Sequence, residues 1–163
     1  MNRTITIAPV RKTVIVAATP LHAFEVFTAG IDRWWPKDKT IGSSPLRKSF
    51  IEPFVGGRWY SEHEDGSEVV VGHVLTWQPG ECFAVTWEIS AEWKPDARIA
   101  MASEVEVRFE AQADGSTRVE LEHRNFERMG DVAGQTMRDG VDGGWPSALD
   151  MFAKAASAGG NAP

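Results

Sequence analysis

Residues 103–123 read SEVEVRFEAQADGSTRVELEH, and their parity decides the fold. Val105, Val107 and Phe109 fall on one side of a two-residue period, with Glu104, Glu106, Arg108 and Glu110 on the other. After Asp114-Gly115 the alternation resumes, Val119 and Leu121 against Arg118, Glu120 and Glu122. An Asp-Gly pair between two alternating runs is hairpin chemistry. One dry and one wet face is the signature of an antiparallel sheet.

Working upstream, residues 82–89 carry Phe83, Val85, Trp87 and Ile89 on one face, and residues 68–77 form another strand ended by Pro79-Gly80. Residues 58–63 alternate before Asp65-Gly66, and Gly56-Gly57 marks a reversal or bulge after a strand region beginning at 50–54. The polar stretches 36–48 and 90–100 are expected as loops. At the start, residues 10–17 are rich in β-branched side chains and predict a strand. Thr19-Pro20 then supplies an N-cap and a proline at the first helical position. Leu21, Ala23, Phe24, Phe27 and Thr28 give a short apolar face ended by Gly30, and residues 32–36 predict one further turn.

Downstream the period changes. Trp145, Ala148, Leu149, Phe152, Ala153 and Ala156 recur at helical spacing, and residues 131–139 have helical composition. Gly140, Gly143, Gly144 and Pro146 crowd the middle, which predicts either one long helix kinked there or two segments. Strands in a run with helices segregated from them define an α+β class. The expectation is a curved antiparallel sheet of six to seven strands with a long C-terminal helix. It would form a single domain over residues 1–163, its core over about 10–157 and a frayed tail at the end.

The totals narrow the function. A chain of 163 residues can hold a core without cross-links, and the single Cys82 excludes an intrachain disulfide framework or a multi-cysteine metal site. Net charge is −6 with Lys and Arg scattered, which argues against nucleic acid. No apolar run is long enough for a signal peptide or a membrane span, so membrane insertion is not expected and the cytoplasm is the default location. Seven tryptophans against one tyrosine are the unusual count; such side chains fill a large core or line a cavity.

Several pieces in order carry a resemblance over about residues 10–157: Thr19-Pro20-Leu21-His22-Ala23-Phe24, Trp34-Trp35-Pro36, Gly56-Gly57-Arg58, Gly72-His73-Val74, Pro79 before Val85-Thr86-Trp87, and Gly144-Trp145 before Leu149 and Phe152. The chain resembles the START-like helix-grip superfamily of lipid carriers and polyketide cyclases, and within it the domain family named after the activator of Hsp90 ATPase. The resemblance implies a sheet gripping the C-terminal helix with an apolar cavity between them. It does not choose among carrier, cyclase and interaction module.

The candidate wall is Phe24, Phe27, Trp34, Trp35, Trp59, Trp87, Met137 and Trp145, with Arg58 and His123 as polar anchors. Each has a plainer reading: aromatics filling the gap outright, a surface arginine, a buried histidine satisfied by its neighbours. His73 and Cys82 are expected to be structural, and Glu62-His63-Glu64-Asp65 a solvated hairpin end rather than a metal site. No catalytic residue, metal or cofactor is assigned. The leading expectation is binding of a small apolar or amphipathic molecule. A cyclase or hydrolase using the same pocket through His123 or His73 comes second, and a co-chaperone-like interaction domain third. A homodimer is compatible with all three.

Overall fold

The computed structural model describes residues 6–36 and 44–160. Most of the loop expected over 36–48, and the tail at 161–163, lie outside the described residues. Seven strands form one sheet: β1 (Val10–Val16), β2 (Leu46–Ile51), β3 (Arg58–His63), β4 (Glu68–Gln78), β5 (Cys82–Trp87), β6 (Ser103–Ala111) and β7 (Thr117–Arg124). Their order is β1-β7-β6-β5-β4-β3-β2, every neighbouring pair antiparallel. The 103–123 hairpin has the register its parity predicts, with Val105 opposite His123, Val107 opposite Leu121 and Phe109 opposite Val119.

Two short helices, α1 (Pro20–Phe27) and α2 (Ile31–Trp34), carry the chain from one sheet edge to the other. Thr19 caps α1 as expected, its hydroxyl accepting from the His22 N–H at 3.2 Å. The second strand begins earlier than expected, at Leu46 rather than near Phe50. Its polar outer residues concealed the alternation: Arg47 and Lys48 are exposed while Ser49 and Ile51 are buried. Register shifts in the β2–β3, β3–β4 and β4–β5 ladders insert bulges that bend this half of the sheet. The result is a curled sheet with a concave inner face, the helix-grip form of an α+β fold.

A third helix, α3 (Asp131–Gly160), lies in that concavity. It runs as one element through Pro146, so the alternatives drawn from the sequence resolve in favour of a single helix. An interior proline costs about 3 kcal/mol. Val141, Trp145, Ala148, Leu149, Phe152 and Ala156 are all buried on its inner stripe, and a large apolar side chain contributes roughly 1.5–3 kcal/mol on burial. The stripe outweighs the proline. The helical backbone also continues past Ser157, where fraying was expected. No helix among the described residues is long and apolar enough to cross a membrane.

Two glycines give opposite tests of this packing. A Cβ on Gly72 would stand 1.8 Å from the Thr86 carbonyl oxygen, because β4 and β5 approach there without room for a side chain. On α3, a Cβ on Gly143 would meet nothing within 4 Å. Gly72→Ala is therefore expected to lose stability by about 3 kcal/mol or more, as overpacking against backbone does. Gly143→Ala is expected to gain up to about 1 kcal/mol through helix propensity. Urea denaturation of the two variants checks both signs.

Candidate functional site

Four tryptophans from four parts of the chain meet between the sheet and α3. Trp35 follows α2, Trp59 lies on β3, Trp87 on β5 and Trp145 on α3. Their rings form a closed circuit of edge and tilted contacts. Centroid separations are 5.0 Å for Trp35–Trp59, 5.8 Å for Trp59–Trp87, 5.9 Å for Trp87–Trp145 and 5.9 Å for Trp145–Trp35. All four line a cavity of about 470 Å³. Leu46, Val71, Ile89, Val141 and Ala148 supply most of the remaining apolar wall.

The crowded glycines of α3 explain why this space stays open. Gly140, Gly143 and Gly144 line it, so the helix presents backbone where side chains would project. Trp93, at φ 61° in the loop after β5, lays its ring against Gly140, where an added Cβ would come within 2.7 Å of it. This loop tryptophan is 42% exposed, so solvent reaches that side of the wall. Two hydroxyls interrupt the apolar lining: Ser49 on β2 and Ser61 on β3, which face each other in the ladder.

Of the ten residues expected at the site, Trp35, Trp59, Trp87 and Trp145 line the cavity, and six are placed elsewhere. Phe24, Phe27 and Trp34 join Phe83, Phe109 and Phe152 in an aromatic core beside the cavity, with ring contacts at 5.0–6.2 Å. The Trp34 indole is tied to the Val26 carbonyl at 2.9 Å. Met137 is fully buried in the core. Arg58 falls on the outer parity of β3, stacked over Tyr60 at 4.2 Å and bonded to Glu52. It is no anchor for a ligand in this cavity.

His123 is inward, as its parity requires, but it is consumed by the protein. Trp145 Nε1–H donates to its Nδ1 at 3.1 Å, which leaves Nε2 as the protonated nitrogen donating to Ser103 Oγ at 2.8 Å. Burial pushes its pKa down to about 3, so the ring is neutral. His73 pairs through Nδ1 with the buried Glu88 at 2.6 Å, and Glu88 also accepts from Thr86. Cys82 is raised above the usual thiol range by burial and then by Glu106, which makes it a poor nucleophile.

The correction that matters concerns His63. It is not part of a solvated hairpin end: the ring is buried. Its Nδ1 lies 2.7 Å from the Ser44 carbonyl, which can only accept, so Nδ1 carries the proton. Nε2 is then a bare lone pair, and Ser61 Oγ–H donates to it at 2.8 Å. The signal available in the sequence was parity: Trp59, Ser61 and His63 share the inner face of β3. No group of three or more potential metal ligands occurs among the described residues.

The model of the family described as activator of Hsp90 ATPase homolog 1-like protein matches residues 17–157. The chain belongs to this family. Among solved structures, it is 41% identical to an anthrahydroquino-gamma-pyrone synthase, Txn09, solved as a complex; the match covers 91% of this chain and 97% of that one, with a TM-score of 0.64. It is 28% identical to the self-sacrificing resistance protein CalC from Micromonospora echinospora, over 95% and 97% of the two chains, with a TM-score of 0.68. A Mesorhizobium loti protein, MLL2253, is 19% identical over 90% and 95% of the two chains at a TM-score of 0.65 and shares the fold. Comparison with curated proteins gives no match.

The neutral His123 makes acid stability measurable. Unfolding restores an ordinary histidine pKa near 6.5, so the unfolded chain binds one more proton between that value and about 3. Its stabilising contribution is whole above pH 6.5 and is lost as pH falls, by about 1.4 kcal/mol per unit. His123→Gln is expected to lower stability at pH 7 while flattening this part of the acid limb. Urea midpoints from pH 7 to pH 4 check both effects.

Proposed function

We propose that this protein binds a flat aromatic molecule of the polyketide type in the cavity between the sheet and α3. The observation that carries the reading is the cluster of Trp35, Trp59, Trp87 and Trp145, in ring contact with one another, on the wall of a cavity of about 470 Å³. That volume lies within the range of sites for drug-sized ligands. Rigid indoles offer faces and edges to a fused ring system, each such contact adding about 0.5–1.5 kcal/mol beyond simple burial.

The 41% identical relative is by name a synthase of a fused aromatic pyrone, which supports a ligand of this shape over a flexible acyl chain. It also supports a second reading, catalysis of the cyclase kind in the same pocket. A co-chaperone-like role has less behind it, since the tryptophan cluster lines a cavity between the sheet and α3 rather than an outer face. We read residues 1–163 as one domain, since one sheet holds β1 to β7 and one hydrophobic core runs from Ile7 to Ala156.

Tryptophan fluorescence tests the proposal. Titration with an anthraquinone, palmitate and cholesterol is expected to give saturable quenching with the anthraquinone and little with the others. Ala148→Trp, which fills the cavity from the α3 side, is expected to weaken that binding at least 10-fold. Absence of saturable binding in a cooperatively folded protein overturns the reading.

A further inference from the structure

The described residues hold two buried serine–histidine pairs, and the partner of each imidazole Nδ1 sets them in opposite senses. At Ser103–His123 the imidazole donates, because Trp145 occupies Nδ1 as a donor; the hydroxyl oxygen accepts and gains no nucleophilicity from the ring. At Ser61–His63 the imidazole accepts, because Nδ1–H is spent on the Ser44 carbonyl. A hydroxyl donating to a bare imidazole nitrogen, with the far nitrogen held by a fixed acceptor, is the arrangement of an activated nucleophile. Of these two serines only Ser61 lines the cavity. Ser49, opposite it across the β2–β3 ladder, places a second hydroxyl on the same wall.

We propose that Ser61, with His63 as general base, is an acyl-accepting nucleophile that cleaves aryl esters held in the cavity. The aryl part of this proposal rests on the aromatic-binding reading above. Ser61 Oγ bonds to the acyl carbon while its proton passes to His63 Nε2. The bond from the acyl carbon to the aryl oxygen then breaks, and His63 returns the proton to the departing aryloxide. The products are a phenol and an acyl-serine. Water next attacks the acyl carbon, giving one proton to His63, which passes it to Ser61 Oγ as the carboxylic acid leaves. The Ser44 carbonyl holds Nδ1–H throughout and steadies the imidazolium. Ser49 is the hydroxyl available on that wall to donate to the oxyanion.

Diisopropyl fluorophosphate tests the nucleophile without requiring aromatic binding. Intact-mass and peptide analysis are expected to find one adduct, on Ser61, in the unsubstituted protein and in Ser103→Ala. Ser61→Ala is expected to remove it, and His63→Gln to slow it about 100-fold, the scale of general-base assistance. The pH profile of labelling needs no variant: the rate should rise as one group deprotonates and then level. No adduct at Ser61, or a rate indifferent to pH and to His63→Gln, overturns the proposal. Burst release of 2-naphthol from 2-naphthyl acetate, lost in Ser61→Ala, supports the aryl ester as substrate. Labelling at Ser61 without anthraquinone binding overturns the aromatic reading and the aryl substrate class together. Anthraquinone binding without labelling leaves a carrier and removes the nucleophile.

Discussion

The hydrogen bond from Trp145 to His123 joins the long helix to the sheet where both the core and the cavity depend on it. It spans from α3 to the end of β7 through two buried rings. The imidazole must remain neutral to accept it, and burial ensures that it does. With the bond in place, Trp145 is held where its ring meets those of Trp35 and Trp87. Breaking it would leave two buried polar groups unpaired and one wall of the cavity without its anchor. A single contact therefore couples helix docking to the shape of the binding space.

The same logic distinguishes the two buried histidines. Each touches a serine at 2.8 Å through Nε2, so the contacts look alike. What differs is the partner of Nδ1: an indole donor for His123 and a backbone carbonyl for His63. A donor on Nδ1 forces the proton to Nε2, and an acceptor draws it to Nδ1. One histidine is thereby a structural strut, and the other is a base facing a hydroxyl in the cavity wall. The outer faces of the central strands carry a different chemistry. There Glu104, Glu106 and Glu122 share Arg124, while Arg128 also bonds Glu104, a half-buried charge network.

Much of the fold was legible because its elements alternate or repeat cleanly. The 103–123 hairpin, the capped α1 and the apolar stripe from Trp145 to Ala156 are each specified by local pattern. The start of β2 was less legible, since Arg47 and Lys48 read as loop until the inward Ser49 and Ile51 are seen. The glycines of α3 suggested an interruption, yet in the folded chain they sit on the helix that bounds the cavity and leave it room. Local propensity gave way there to burial of the stripe on either side.

By itself the sequence determined the class of fold, the inward parity of β5, β6 and β7 and the supply of rigid aromatics, because alternation and helical repeat follow from periods of two and 3.6 residues. Tertiary structure alone decided which aromatics face open space. Phe24, Phe27 and Trp34 share the inward character of Trp35, Trp59, Trp87 and Trp145, but the first three pack against Phe83, Phe109 and Phe152 while the last four line a cavity. It also decided which histidine turns an accepting Nε2 toward its serine, since Ser44 and Trp145 reach Nδ1 from 19 and 22 residues away. Period fixes which way a side chain points along its own element; what it meets there depends on elements distant in the chain.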